Sequence, residues 1–344
     1  MAPDVSALMD GGSHGMSGMV SIVIPVYNRK EEIIRCLRSI KDQEYRPIEI
    51  IVVDDGSSDG TAAVIRSMED DDIRLLHSET RCGPSYARNI GIMAVKGEYV
   101  LFLDSDTVLE NRQVVKAMVR KLEEDPRVGS VGGEIPVYLG LPGEVRGRQL
   151  NYFGESTPSS VRADIGKEPL WRECTYLATC NCMMRIADLK TIGGFDPYFV
   201  FGGEDTDVGY ALGKIGRMNF VGSRTGVQHY HIKTGRYANE TYRYHSTRVR
   251  FNLKHFGAAR NSIILLWDIL RIATFYILLP AKIAYLLASG RQIARENWLG
   301  GAYILKAYAT NLLHYPEIRR ARKRNFLDDM ELARFVQLRR EQNI

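Results

Sequence analysis

Three runs in the first third of the chain are apolar at nearly every position rather than at every second one. Residues 20–28 read V-S-I-V-I-P-V-Y-N, residues 48–53 read I-E-I-I-V-V, and residues 98–103 read E-Y-V-L-F-L. Continuous runs of this kind predict strands buried on both faces of a largely parallel sheet. Between them the period changes. Ile33, Ile34, Leu37 and Ile40 recur at helical spacing within residues 31–43, and the pattern predicts further helices over 61–68 and 83–95 and a short strand over 73–77. The Gly-Ser-Ser-Asp turn after Asp55 offers an N-cap for the helix that follows. Strand, helix, strand, helix in this order predicts a doubly wound, Rossmann-like α/β fold, whose ligands gather beyond the carboxyl ends of the strands.

The polar residues that end these strands are the candidate chemistry. The first strand stops at Pro25-Val26-Tyr27-Asn28, the second at Asp54-Asp55, and the third at Asp104-Ser105-Asp106. Two carboxylates at i and i+2, where a buried strand meets a loop, can converge on one hard cation, because alternate side chains leave a strand on the same side. Mg²⁺ or Mn²⁺ suits such a site, taking few protein ligands and the rest from water and phosphate oxygens. Short acidic motifs also arise by chance and then merely start a solvated loop. A second acidic cluster, Gly202-Gly-Glu204-Asp205-Thr-Asp207, reads as a glycine turn opening a helix, where carboxylates favour the helix dipole.

Taken together, Pro25-Val-Tyr-Asn28, Val53-Asp-Asp-Gly-Ser-Ser-Asp-Gly-Thr61, Ala87-Arg-Asn-Ile-Gly91, Asp104-Ser-Asp106 and Gly202-Gly-Glu-Asp-Thr-Asp207 strongly resemble the motifs of family 2 glycosyltransferases, in their order and spacing, over roughly residues 20–230. The resemblance is to bacterial or archaeal membrane-associated enzymes of glycan and polysaccharide assembly. It implies an inverting enzyme with a GT-A type mixed α/β sheet. It implies that Pro25, Val26, Tyr27, Asn28, Asp54 and Asp55 bind the donor nucleotide, with Asp55 on the base or ribose. Asp104 and Asp106 then hold Mg²⁺ or Mn²⁺ against the diphosphate of a nucleotide sugar, with Ser105 among the donor contacts. Asp205 is the expected catalytic base, with Glu204 beside it. Inverting transfer is a single displacement, so the acceptor hydroxyl must lose a proton as it attacks and the departing diphosphate must be stabilised. Two separate acidic clusters answer those two needs.

Several neighbours carry smaller expectations. Arg88 meets a donor phosphate or holds an acid of the site, since a guanidinium fork suits both; Asn89 stands next to it. His229 is the expected third metal ligand, with His231 as the competing choice. Arg248 and Arg250, on a helix expected over 237–255, are candidates for the leaving diphosphate. The stretch 178–184 reads as a buried strand behind the site, and the resemblance implies that Phe201 stacks on an acceptor.

At 344 residues and 45% hydrophobic content the chain can bury one large core plus an appendage. Its five cysteines are odd in number and form no C-x-x-C, which supports neither a disulfide framework nor a zinc ribbon and fits a reducing cytoplasm. Residues 1–18 lack the features of a signal peptide and are expected to be a disordered extension, followed by a catalytic domain over 19–257 and a helical, basic region over 258–344. From residue 260 onward there are 14 Lys or Arg against 7 Asp or Glu. Residues 262–288 are nearly all apolar, with Asn261, Asp268, Arg271, Lys282 and Ser289 along one stripe and a bend expected at Pro280. Asp268 and Arg271 would each cost about 2.5–3.5 kcal/mol at a bilayer centre, so an interfacial helix is expected rather than a spanning one. Beside it, Arg319-Arg-Ala-Arg-Lys-Arg324 would be drawn to anionic lipid. The expected setting is therefore the inner face of the cell membrane, with a lipid-linked or saccharide acceptor and no nucleic-acid partner. Two rival activities fit less well. A nucleotidyltransferase would open on G-x-G-x-R, which Pro25-Val-Tyr-Asn28 does not match. A processive synthase would carry several spanning helices and Q-x-x-R-W, and Gln337-Leu-Arg-Arg-Glu341 lacks the tryptophan.

Overall fold

The structure, a computed structural model, describes residues 16–133, 135, 145–161, 169–199, 202–230, 240–288 and 296–342. The chain begins with β1 (Met16–Val26), α1 (Glu32–Lys41), β2 (Ile48–Asp54), α2 (Thr61–Arg66), β3 (Ile73–His77), α3 (Pro84–Ala94) and β4 (Gly97–Leu103). These are the elements that the apolar periodicity predicts, with ends shifted by a few residues. Residues 16–18 belong to β1; the rest of the expected extension lies outside the described residues.

The continuous apolar runs are explained by burial on both faces. Val20, Ile22 and Ile24 of β1 point into one core with Ile33, Leu37, Ile50, Val52, Leu101 and Leu103. Val23, Ile51, Val53, Val100 and Phe102 point the other way, into a second core with Ile90, Phe195 and Leu212. Alternate residues of each strand thus face opposite layers, and neither layer is solvent.

Next come β5 (Thr107–Leu109), α4 (Val114–Glu124), β6 (Val128–Gly133), the hairpin β7 (Val145–Leu150) and β8 (Ser156–Val161), β9 (Trp171–Cys174), β10 (Asn181–Arg185), α5 (Ile186–Ile192), α6 (Glu204–Lys214), β11 (Met218–Gly222) and β12 (Val227–His229). The main sheet runs β3-β2-β1-β4-β10-β6-β11-β9. β1 lies between β2 and β4, parallel to both, with Ile22 opposite Ile50 and Leu101. β10 enters antiparallel between β4 and β6, and β9 closes the far edge antiparallel to β11. The sheet is therefore mixed. β12 pairs with β5, apart from the main sheet, which sets His229 opposite Thr107.

Helix α3 lies so close to β1 that residue 91 must lack a side chain: a Cβ there would stand 2.3 Å from Val23 Cγ1. Gly91→Ala should cost about 1–3 kcal/mol through overpacking. Its thermal midpoint should fall by several degrees in calorimetry; an unchanged midpoint would mean that the helix can shift freely on the sheet.

The chain ends in α7 (Glu240–His255), α8 (Ala258–Ala288, with Pro280 inside it), α9 (Glu296–Leu313), α10 (Tyr315–Ala321) and α11 (Asp329–Gln342). α11 returns to the core of the sheet: Leu332, Phe335 and Val336 are buried with Tyr86, and Phe335 packs edge-on to Tyr198 at 5.1 Å. α8 has inverted polarity. Asp268 is fully buried, bonded by Arg248 of α7 and by the Tyr308 hydroxyl of α9 at 2.8 Å. Arg271 pairs with Glu155 beside the β7–β8 hairpin, where Trp267 stacks on Phe153 at 4.9 Å. Ile263, Leu266, Leu270, Ile277 and Leu278 are left outward, Ile277 at 74% exposure.

Candidate active site

The strand ends gather as the topology requires. Beyond the carboxyl ends of β1, β2 and β4 lies a cleft of about 190 Å³, lined by Pro25, Val26, Tyr27, Asp55, Asp104, Ser105, Asp106, Arg88 and Glu204, together with Arg29 and Arg81. Eight residues from the acidic and Pro-Val-Tyr motifs thus share one wall with Arg88.

The metal candidates converge. Asp104, Asp106 and His229 each present a ligand atom, and these atoms lie within 4.8 Å of one another. His229 Nε2 is 3.0 Å from Asp106 Oδ1. Ligands at about 2.1 Å in octahedral array stand about 3 Å apart when adjacent, so a small divalent cation fits between them. The β5–β12 pairing makes this meeting possible, because it carries His229 across the chain to the residue next to Asp106. The Tyr230 N–H also donates to the Asp106 carbonyl at 2.8 Å. His231 lies outside the described residues.

Asp55 is buried, and its two oxygens accept from the Cys82 and Gly83 N–H groups, each at 2.7 Å. Asp55 lines the cleft together with Tyr27. Arg81 lies over the Tyr27 ring at 4.1 Å, so the aromatic platform already carries a cation on one face. Two of the expected donor contacts stand elsewhere. Asp54 is fully buried and absent from the cleft wall; it accepts from the Ser57 N–H at 2.9 Å and meets His77 Nδ1 at 3.0 Å. Asn28 adopts φ of 51° and accepts from the Ser58 N–H at 2.8 Å, while its own N–H donates to Ser57 Oγ. Both shape the turn that presents Asp55 and do not line the cleft. Their polarity invites a ligand role from sequence, yet the backbone donors of a tight turn use it first.

Arg88 is 2% exposed and holds acids: NH2 bonds Asp104 Oδ1 at 2.9 Å and NH1 bonds Glu204 Oε1 at 3.2 Å. Burial works against its charge, but Asp104 and Glu204 hold its pKa above the usual arginine range. It is thus the tie between the metal motif and the second acidic cluster. Asn89 clamps Phe195 instead, donating to its carbonyl and accepting from its N–H, both at 2.8 Å.

Glu204 and Asp205 open α6 after two glycines at φ of 103° and 92°, a left-handed conformation that side chains resist. Asp205 accepts from the Thr206 N–H at 2.8 Å. Burial first, and then the neighbouring Glu204 charge, push its pKa up to about 7. It stands near Tyr176, whose own pKa is raised by burial and by the Asp205 charge.

Arg248 and Arg250 do not reach the cleft. Arg248 is bound to Asp268 and to the Phe153 carbonyl, and Arg250 to Asp196 at 3.2 Å. Their sequence spacing is equally good for a buried clamp, and helix orientation decides. Phe201 lies outside the described residues. Arg29 and Arg81 are cleft residues that sequence reasoning passed over; the Arg29 Nε lies 3.9 Å from Asp106 Oδ2. The position of Arg29 directly after the Pro-Val-Tyr-Asn turn is the signal that pointed to it.

Sheet order and cleft define a GT-A type fold, and the comparisons with known proteins agree. The family model described as glycosyl transferase family 2 matches residues 21–193. The chain belongs to this glycosyltransferase family. Glycosyltransferase GlyG of Streptococcus pneumoniae is 36% identical over 115 residues, covering 33% of this chain and 38% of that protein. The Campylobacter jejuni protein named GalNAc(5)-diNAcBac-PP-undecaprenol beta-1,3-glucosyltransferase is 37% identical over 93 residues, 26% of this chain and 30% of its own. In both cases the match spans well under two thirds of the relative's length. The mannosyltransferase PcManGT from Pyrobaculum calidifontis, solved with GDP-Man and Mn²⁺, covers 100% of this chain and 90% of its own at a TM-score of 0.54. At 19% identity that likeness is one of fold.

Proposed function

We propose that this protein is a metal-dependent inverting glycosyltransferase that moves a sugar from a nucleoside-diphosphate donor to a hydroxyl of a lipid-linked acceptor. The observation that carries the proposal is the cleft lined by Asp104, Asp106, Arg88 and Glu204, in which Arg88 ties Asp104 to Glu204, with His229 against Asp106 and Asp205 directly after Glu204. The donor nucleotide lies against Tyr27 and Asp55, with its diphosphate toward Asp104 and Asp106. Mg²⁺ or Mn²⁺ held by Asp104, Asp106 and His229 would offset the charge that develops on the leaving diphosphate. Arg29 adds a second cationic group on that side. Asp205 takes the proton of the acceptor hydroxyl, and its raised pKa makes its carboxylate a stronger base than an ordinary aspartate. Arg88 holds Glu204 beside Asp205, where the Glu204 charge contributes to the raised pKa of Asp205. The test is a panel of nucleotide sugars assayed for hydrolysis and transfer with Mn²⁺, Mg²⁺ or excess chelator. Full turnover in chelator would remove the metal from the mechanism.

The lipid-linked acceptor and the membrane setting are supported by the outward apolar face of α8 and by the undecaprenol in the name of the Campylobacter relative. The 258–280 part of α8 is long and apolar enough to cross a bilayer. However, Asp268 is committed to Arg248 and Tyr308, so the helix lies on the domain with its apolar side outward, as an interfacial helix would. The basic run divides. Arg322 donates to the Leu253 and Phe256 carbonyls and Arg324 pairs with Glu331, whereas Arg319, Arg320 and Lys323 are exposed and available to anionic lipid. Replacing Leu266, Leu270 and Ile277 with Ser should release the protein from anionic vesicles in flotation assays. Neutralising Arg319, Arg320 and Lys323 should mimic high salt, which screens surface charge beyond about 8–10 Å. Full-length protein that stays unbound at low salt would overturn the membrane setting.

A further inference from the structure

The second acidic cluster has a support that the mechanism above does not use. Lys254 of α7 is buried, and its ammonium donates to Asp196 Oδ2 at 3.0 Å and to Asp207 Oδ2 at 2.8 Å. Both carboxylates are buried as well. Asp196 also receives Arg250, and its other oxygen accepts from the Tyr198 N–H at 3.0 Å. The second oxygen of Asp207 meets His255 Nε2 at 2.6 Å. Burial holds the His255 pKa below its usual range, and the two carboxylates face the cations Arg250 and Lys254. Such a cluster stabilises a fold only weakly relative to apolar packing, but it fixes the geometry of whatever it joins.

What it joins is Asp196 and the first turn of α6, which carries the base. Asp196 stands before the loop and Asp207 stands in the first turn of α6, two residues after Asp205. Between them Gly202 and Gly203 hold φ of 103° and 92°, so the backbone itself resists deformation least where the loop turns into the helix. Glu204 is tied separately by Arg88. We propose that Lys254 is a positioning residue for catalysis: its single ammonium ties Asp196 to Asp207 in the first turn of α6 and thereby sets where Asp205 meets the acceptor hydroxyl. This rests on the assignment of Asp205 as the base. Lys254 lies outside residues 21–193, so the clamp comes from a part of the chain that the family model does not reach. The same helix anchors α8 through Arg248 and Asp268.

The experiment uses full-length Lys254→Met and Lys254→Arg, with the double variant Lys254→Met/Asp207→Asn in case the single change leaves too much buried negative charge to fold. UDP and GDP in Mn²⁺ serve as binding probes, and turnover is measured with the best donor of the nucleotide-sugar panel. The clamp predicts probe affinity within about twofold of wild type and kcat lowered about 10- to 100-fold, the scale of a displaced catalytic group. Lys254→Arg should recover much of that loss by restoring the charge. A folded Lys254→Met or double variant with wild-type kcat overturns the proposal. So does a loss of probe affinity and kcat in equal proportion, which a merely structural role would produce. Asp205→Asn, run alongside, separates the two ideas. If it loses turnover while the Lys254 variants keep theirs, the clamp alone fails. If it keeps turnover, the base assignment fails and the clamp fails with it.

Discussion

Asp205→Asn will lower kcat by a factor of about 10² or more while leaving nucleotide-diphosphate affinity nearly unchanged, since the amide keeps the shape and loses the base. Equal losses of affinity and turnover would instead make Asp205 a helix-opening residue. Wild-type kcat should also fall on the acid side with a midpoint near pH 7, because the carboxylate must be ionised to act and its pKa is pushed up to about 7 from 3.8 by burial and by Glu204. An acid limb near pH 4 would contradict that environment. The same shift has a consequence for stability. The folded state binds the Asp205 proton more tightly than the unfolded state does. The stabilisation this group contributes is therefore complete below the ordinary pKa and is lost as pH rises through about 7. Asparagine carries no such dependence, so the thermal midpoint of the variant should exceed wild type by an amount that grows from pH 4 to pH 7 and then levels off.

Asp106→Ala should weaken Mn²⁺ binding about 100-fold or more and abolish transfer at ordinary metal concentrations. It removes a ligand that is itself held by His229, and even indirect partners of a metal site are worth about 10- to 100-fold. Mn²⁺ binding followed by electron paramagnetic resonance reads this without any donor. Asp104→Ala should add a second effect. Arg88 would keep only Glu204 of its two carboxylates, so the thermal midpoint should fall as well as the metal affinity. Wild-type Mn²⁺ affinity in Asp106→Ala would remove the metal assignment from this pair.

Much of the site is legible before any folding is considered. The apolar runs locate β1, β2 and β4, and the polar residues that end them are those of the cleft. Asp104 and Asp106 stand two positions apart in the chain, so their nearness is a local fact. Asp54 and Asn28 show the limit of this reasoning. They look like ligands because polar residues at strand ends often are, but tight turns also need side-chain acceptors, and the pattern is the same for both. Arg248 and Arg250 show it again: an arginine on a helix has no stated direction until its neighbours are known.

The sequence by itself determined the alternation of strands and helices, the buried character of the sheet and the identity of the acidic motifs. These follow from local rules, namely side-chain periodicity, turn chemistry and motif spacing, that act within about ten residues. The tertiary structure decided what depends on residues far apart in the chain. It brought His229 to Asp106 across 123 positions and bound Arg88 to Glu204 across 116. It also turned Asp268 of α8 inward, where Arg248 and Tyr308 bind it, and left Ile263, Leu266, Leu270 and Ile277 facing out. A charge in an apolar helix must find a partner or water, and only the packed fold supplies the partner.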